Sequence, residues 1–275
     1  MLDAIESEEK SLNLWEMPYM NPSEYDKMYH LEDANWWYLG GSDLVLKMAA
    51  RFDNGLSEKP LRILDAGCGT GINLKYLQIL GDVCGLAISK DALVFSRNRG
   101  LPSLICGSAN KLPFKNELFD LVLALDVIEH IDEDLSAVKE LNRILKPGGR
   151  LILTVPAFQF LWTNHDLALH HKRRYTRSGI LRILRLGSFE NEKATYWNFS
   201  LFLPVATIRL LKRFHRSGNE MQTDLAELPF HLNGLLQELI RIENWIIDRI
   251  DLPVGVSVMC ICRKVSDGQD ETKWA

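Results

Sequence analysis

The chain has 275 residues, 47% apolar and 25% charged, ordinary values for a globular protein and enough for a large core around one elaborated domain. A formal net charge of −4 excludes a whole-surface attraction to polyanions, so no nucleic-acid partner is expected. The five cysteines (Cys68, Cys84, Cys106, Cys260 and Cys262) lack metal-site spacing and read as small buried residues in a reducing compartment, with no metal expected. An acidic start (Glu6, Glu8, Glu9) without a basic and apolar leader argues against a signal peptide. No apolar run approaches the ~18 residues of a membrane span. A cytoplasmic location is expected, with contact at a membrane surface as its one variation.

In chain order, Trp36-Trp37-Tyr38 gathers aromatics ahead of a helix expected from near Ser42. The cluster reads equally as a wall of a binding pocket or as a staple onto the core. Leu61–Asp65 is an apolar run of the kind found in buried parallel strands. Gly67, Gly69 and Gly71 follow, residues without a Cβ that let the backbone turn sharply and approach a ligand closely. Helical spacing over 71–80 makes this a strand-to-helix turn whose free N–H groups suit an electron-rich ligand. Ile72 stands where a dinucleotide fingerprint needs a small residue, which disfavours a nicotinamide cofactor.

Further strands are predicted at Val83–Ala87, Ser103–Gly107, Phe119–Leu125 and Leu151–Val155, with helical stretches at 89–99 and 131–145 between them. The second of these starts with Asp132 and Asp134 and stops before Pro147-Gly148-Gly149, as helix ends do. A helix over 177–186, a strand near Ala194–Asn198 and an alternating strand at Gly255–Arg263 complete the pattern.

Four segments in this order resemble the class I S-adenosylmethionine-dependent methyltransferases, in particular the small-molecule type related to the quinone-biosynthesis enzymes. Asp65-Ala66-Gly67-Cys68-Gly69-Thr70-Gly71 is similar to that family's first motif, and Gly107-Ser108-Ala109 with Leu112-Pro113-Phe114 to its adenine-side segment. Phe119–Val122 and Leu125–His130 are similar to its fourth strand and following loop, and Arg143–Gly149 to the turn into its fifth strand. The resemblance implies a Rossmann-like α/β fold, a seven-stranded doubly wound sheet with an antiparallel last strand. About fifty residues separate the last two strands, so a helical insertion between them is implied as well.

The resemblance also implies S-adenosylmethionine as cofactor. Asp65, Gly67, Cys68, Gly69, Gly71 and Asn73 would lie at its methionine end, with Gly107, Ser108 and Ala109 at the adenine and Asp126 and Val127 at the pocket mouth. Ala87 and Ile88 fall where the family turns towards the ribose. The family usually carries an acid at the position of Ala87, to accept bonds from both ribose hydroxyls; weakened binding is therefore expected. A basic residue that often follows the tryptophan pair is also replaced, by Leu39-Gly40-Gly41.

The acceptor region is expected directly after the fifth strand, because ligands of open α/β sheets bind beyond the carboxyl ends of the strands. There His165, Asp166 and His171 are the candidate catalytic residues, while Lys172, Arg173, Arg174 and Arg177 read as a clamp for an anion. Within the insertion, Arg209, Lys212, Arg213 and Arg216 share one helical face over 200–216, a pattern suited to peripheral membrane contact. A second helix over 232–250 is expected to pack with the first as a cap.

Four regions result: an N-terminal segment with lid helices (1–58), the cofactor-binding core (59–199), the insertion (200–254), and the last strand with its tail (255–275). The reading is methyl transfer to a small hydrophobic or anionic acceptor, and its alternative is a binding or regulatory protein on the same fold without turnover.

Overall fold

The computed structural model describes residues 22–52, 60–214 and 229–265. Seven strands form one sheet in the order β3-β2-β1-β4-β5-β7-β6. They are β1 (Leu61–Ala66), β2 (Gly81–Ala87), β3 (Leu104–Cys106), β4 (Phe119–Leu125), β5 (Leu145–Pro156), β6 (Phe189–Trp197) and β7 (Ser257–Lys264). The first five pair in parallel, whereas β7 runs antiparallel to both β5 and β6. This is the expected doubly wound sheet with an antiparallel last strand.

Side-chain alternation places successive residues of each central strand in opposite cores. Ile63, Leu121, Leu123, Ile152, Met259 and Ile261 face one cluster, while Leu64, Val122, Ala124, Leu153, Val258 and Cys260 face the other. Helices α2 (Trp36–Ala50), α3 (Ile72–Leu77) and α4 (Lys90–Asn98) cover the first face. Helices α5 (Asp134–Ile144) and α7 (Arg177–Leu186) cover the second. The remaining helices are α1 (Pro22–Glu32), the short α6 (Asn164–Ala168), α8 (Phe202–Phe214) and α9 (Phe230–Ile247).

Several elements depart from the sequence expectation. Helix α2 begins at Trp36, ahead of Ser42, because the Asn35 side chain caps it by accepting from the Trp37 N–H at 2.9 Å. The tryptophan pair is thus the first turn of the helix. Helix α3 is shorter than the span 71–80, since the chain turns after Leu77 to enter β2. Strand β5 starts at Leu145 and carries Pro147-Gly148-Gly149 within it: Phe119 pairs with Leu145, the register then shifts, and Gly148 absorbs the bulge at φ +74°. Strand β6 extends back to Phe189 through exposed Glu190, Asn191 and Glu192, the charged edge that an outermost strand carries. Cys106 is exposed on the edge strand β3, in contrast to the burial expected of it.

Helices α8 and α9 occupy the interval between β6 and β7, as expected, but among the described residues they do not pack along one another as a joint cap. Helix α9 instead packs along α2. Asn244 is buried there, donating at 2.9 Å to the Gly40 carbonyl and to Asp43 and accepting from the Trp197 indole at 3.1 Å. Glu243 receives the amides of Phe199 and Ser200 at the start of α8. A Cβ on Gly40 would lie 2.4 Å from Ile240 Cγ2, and one on Gly41 would lie 3.1 Å from the Trp197 ring. Leu39-Gly40-Gly41 therefore admits a close helix crossing, and Trp37, 5.4 Å from the Trp197 ring, acts as a staple.

The basic face expected over 200–216 is interrupted. Arg209 turns inward and donates at 2.9 Å to the Leu161 carbonyl; the Lys212 and Arg213 side chains and all of Arg216 lie outside the described residues. The acidic N-terminal residues lie outside them too. Among the described residues, no helix is long and apolar enough to cross a membrane.

The two glycines of the α2–α9 contact region make opposite predictions. Gly40→Ala should lose about 1–3 kcal/mol by overpacking against Ile240. Gly234→Ala, on α9 with open space around the new methyl, should gain about 0.5–1 kcal/mol. Urea unfolding at unchanged slope measures both.

Candidate active site

The site is built above the carboxyl ends of β1, β4 and β5. Gly67 and Gly71 hold φ of +119° and +87°, and a Cβ at these positions would come within 2.3 Å of Val127 Cγ2 and 2.5 Å of Leu101 Cδ1. The loop is therefore accessible only to glycine. The amides of Gly67 and Cys68 both donate to the Leu86 carbonyl, at 2.8 and 2.9 Å, which fastens the loop to the end of β2. Asp65, the last side chain before the loop, is fully buried and its Oδ1 has no hydrogen-bond partner. Burial, reinforced by Glu32, pushes its carboxyl up to about 7.

Glu32 is a residue that sequence reasoning passed over, because nothing in the pattern of α1 shows that its end folds onto the glycine loop. It is buried, accepts from the Thr70 hydroxyl and pairs with Arg99 at 2.9 Å. Arg99 also donates to the carbonyls of Thr70 and Tyr29, at 3.0 and 3.1 Å, to Asp33 at 2.8 Å, and lies over the Tyr29 ring. Burial, opposed by Thr70 and Arg99, pushes Glu32 up to about 7. Helix α1 is in this way clamped over the loop, with Met28 Cε 3.3 Å from where a Cβ on Gly69 would lie.

The other residues expected at the cofactor lie on neighbouring strand ends, loops and helix starts. Asn73 accepts from Ser42 at 2.9 Å, so its carboxamide ties α3 to α2. Ala87 is buried at the end of β2 and its carbonyl accepts from Gly107 at 3.0 Å; Ile88 is half-buried beside it. Neither nearby acid replaces the missing carboxylate, for Asp91 is exposed in the first turn of α4 and Asp82 stands at the opposite end of β2. Ser108 folds back to accept from the Asn110 amide at 3.2 Å, and Ala109 is buried. Val127 packs on Gly67, while Asp126 is exposed with φ +52° and bonds Thr154 through its amide at 3.1 Å. A non-glycine residue in that conformation is costly, and such strain concentrates at functional sites.

Beyond β5 the chain loops out and returns, with Ala157 bridging to Tyr175. Asp166 is fully buried in α6, where it receives Arg174 at 2.7 and 3.0 Å, His171 Nδ1 at 2.9 Å and the Thr163 amide at 2.8 Å. Burial alone would raise its carboxyl; the bonds from His171 and Arg174 hold it well below the usual range. Asp166 is thus a fixed anion that orients His171 and no proton acceptor. His165 sits half-exposed on the same short helix. Nε2 of His171 lies 3.9 Å from Glu129, and its ring meets that of His130 edge-on at 4.8 Å.

The basic run is not a free anion clamp. Arg174 is committed to Asp166, Arg173 to Asp134 at 3.0 Å, Lys172 to Asp132, and Arg177 lies over the Tyr196 ring. Phe158 stacks on Tyr196 at 5.0 Å and meets Phe160 and Phe202, so the wall beside this loop is aromatic.

Residues 64–153 match the methyltransferase domain family. Over that segment, a third of its length, the chain is similar to the class I S-adenosylmethionine-dependent methyltransferases. Their cofactor, S-adenosylmethionine, suits the loop observed here, with its glycine-only turn and an orphaned buried carboxyl oxygen facing it. Among relatives of this chain, the human probable tRNA methyltransferase 9B is 37% identical over 125 residues, 43% of this chain and 27% of the relative. The ubiquinone biosynthesis O-methyltransferase of Aliivibrio fischeri is 28% identical over 150 residues, 49% of this chain and 63% of the relative. The chain thus spans about a quarter of the former and under two thirds of the latter. A solved Thermotoga maritima structure, described as an S-adenosylmethionine-dependent methyltransferase and possible histamine N-methyltransferase, superposes with a TM-score of 0.56 at 20% identity. It covers 88% of this chain and 95% of that one, and shows a shared fold.

The raised Asp65 carboxyl has a consequence for stability. An acid whose pKa is higher folded than unfolded stabilises the fold at low pH and loses that contribution as pH rises towards 7. Asp65→Asn should therefore melt progressively higher than the parent between pH 5 and pH 8 in the absence of cofactor, by several degrees (roughly 1–3 kcal/mol) at the upper end. Calorimetric melting across that range tests it.

Proposed function

We propose that this chain transfers the methyl group of S-adenosylmethionine to a small, largely apolar acceptor bound beyond the ends of β4 and β5. The observation that carries the reading is the chain of contacts from the glycine loop through Val127 to Asp126, whose carboxyl interacts with His171 and Arg174 of the loop after β5. When bound, S-adenosylmethionine supplies an already activated sulfonium methyl, so the protein's task is placement and exclusion of water. Asp65 and the 67–71 loop would hold the methionine end, Ser108 and Ala109 the adenine, and Asp126 and Val127 the mouth of the pocket. Helix α1, locked down by Arg99 and Glu32, lies over the loop at Gly69 and Thr70.

On the acceptor side, Phe158, Phe160, Tyr196 and Phe202 supply apolar area, and the Glu129–His130–His171 cluster manages the proton of the acceptor group. Asp166 sets the orientation of His171 through its Nδ1, in the way a buried carboxylate fixes a working imidazole. A large anionic acceptor fits less well, since the basic run is paired with the protein's own carboxylates and the net charge is −4. The name of the tRNA methyltransferase relative makes transfer RNA the acceptor to test against small hydroxylated aromatics. Ala87 favours a second reading, a cofactor-binding protein without turnover, and the same experiments separate the two.

Calorimetric titration of S-adenosylmethionine should show binding that Ala87→Asp tightens about 10- to 100-fold, the value of a charged acceptor for the ribose hydroxyls. No binding by either protein would end the methyltransferase reading. With an acceptor in hand, His171→Ala should lower turnover about 10²- to 10⁴-fold with cofactor affinity unchanged, and His165→Ala less than about 10-fold. Formation of S-adenosylhomocysteine is the readout, and equal loss in both variants would remove the special role of His171.

A further inference from the structure

Glu129 is completely buried, yet neither of its carboxylate oxygens has a hydrogen-bond partner. Buried carboxylates are normally satisfied, and leaving one bare costs free energy that a ligand would recover. Two imidazoles face it. One atom from each of Glu129, His130 and His171 falls within a sphere where all three lie no more than 4.8 Å apart, and the Glu129–His171 separation is 3.9 Å. His171 engages Asp166 through Nδ1, which leaves Nε2 directed at Glu129. That arrangement, one imidazole nitrogen held by a buried carboxylate and the other presented to a shared centre, is how metal-binding histidines are positioned.

We propose that Glu129, His130 and His171 form a binding site for one divalent transition-metal cation of the zinc type. Two imidazoles and one carboxylate are ligands for such an ion rather than for magnesium or calcium, which prefer all-oxygen sets. Ligands around zinc, at about 2.0–2.2 Å from the ion, stand about 3.4 Å apart in a tetrahedron, so the cluster contracts by about an ångström on binding. Three protein ligands leave at least one position open. The cluster follows β4 and lies against the loop after β5, so the open position falls on the acceptor side. An acceptor hydroxyl or carbonyl oxygen is the ligand it would take, and this part of the inference rests on the methyl-transfer reading of the site. Sequence spacing does not reveal the cluster, because His171 joins the adjacent Glu129-His130 pair only through the fold.

The test is uptake of zinc by the chelator-treated full chain, measured by equilibrium dialysis with elemental analysis, with Co²⁺ absorption as the spectroscopic probe. One equivalent of Zn²⁺ and visible Co²⁺ bands at an ordered, low-symmetry site are expected. Glu129→Gln and His130→Gln should each weaken uptake at least about 10- to 100-fold. Cys106→Ser, removing the exposed thiol, should leave it unchanged. Circular dichroism and S-adenosylmethionine titration confirm that each variant is folded. No stoichiometric uptake of Zn²⁺ or Co²⁺ by the parent overturns the proposal, as does uptake that survives both ligand variants or is lost with Cys106. Cofactor binding measured on the same samples keeps the two readings apart: failure of the cation site with cofactor binding intact leaves methyl transfer standing, and cation uptake without cofactor binding does the reverse.

Discussion

The contact between Val127 and Gly67 is the constraint on which the site depends. It joins the loop after β4 to the loop after β1 where these strands lie side by side, and it leaves no room for a side chain at position 67. Reversal of strand order at this point, with β2 and β3 on one side and β4 and β5 on the other, separates the two following loops and opens the crevice between them. The left-handed glycines let the loop fold under Val127, and the amides of Gly67 and Cys68 lock it to Leu86. Asp65 is buried as a consequence, with an unpartnered oxygen and a raised carboxyl. The chemistry of the cofactor end thus begins as a packing requirement.

Two ionic clusters hold the elements that surround the crevice. Arg99, almost fully buried, ties α1 to the glycine loop through Glu32, Thr70 and Tyr29. Arg174 ties the loop after β5 to itself through Asp166 and the Ala157 carbonyl. Burying a charged pair is worthwhile only when its hydrogen bonds are met, and both guanidinium groups spread theirs over several acceptors. The difference lies in the carboxylates. Asp166 receives enough donors to stay ionised, whereas Asp65 and Glu129 have oxygens left without partners. Those two lie at the ends of neighbouring strands, Asp65 on β1 and Glu129 after β4.

Much of this was legible from local chemistry. The glycine loop, the strand before it and the place of β7 express rules that act over a few residues, and each appears where expected; α5 instead starts at Asp134 without a side-chain cap and runs directly into β5. Elements shaped by distant partners were misplaced. The tryptophan pair entered α2 because Asn35 caps that helix and Trp37 packs on Trp197; α9 lies along α2, and not along α8 as expected, because Asn244 and Ile240 seat it there. Arg209 left its basic face for the Leu161 carbonyl, which helical periodicity does not encode.

By itself the sequence determined the fold class and the glycine-only turn after β1, since these rest on short-range backbone preferences and on hydrophobic period, while the cofactor came from the resemblance of its motifs to a family. The expectation of an acceptor beyond β5 came from the general placement of ligands in such sheets. Only the tertiary structure decided which charges are spent on one another. It took Asp166, Arg173 and Arg174 into internal pairs, brought Glu32 to the glycine loop, and set His171 against Glu129. The energy of a charge depends on burial and on neighbours from other parts of the chain, and neither is written in local sequence.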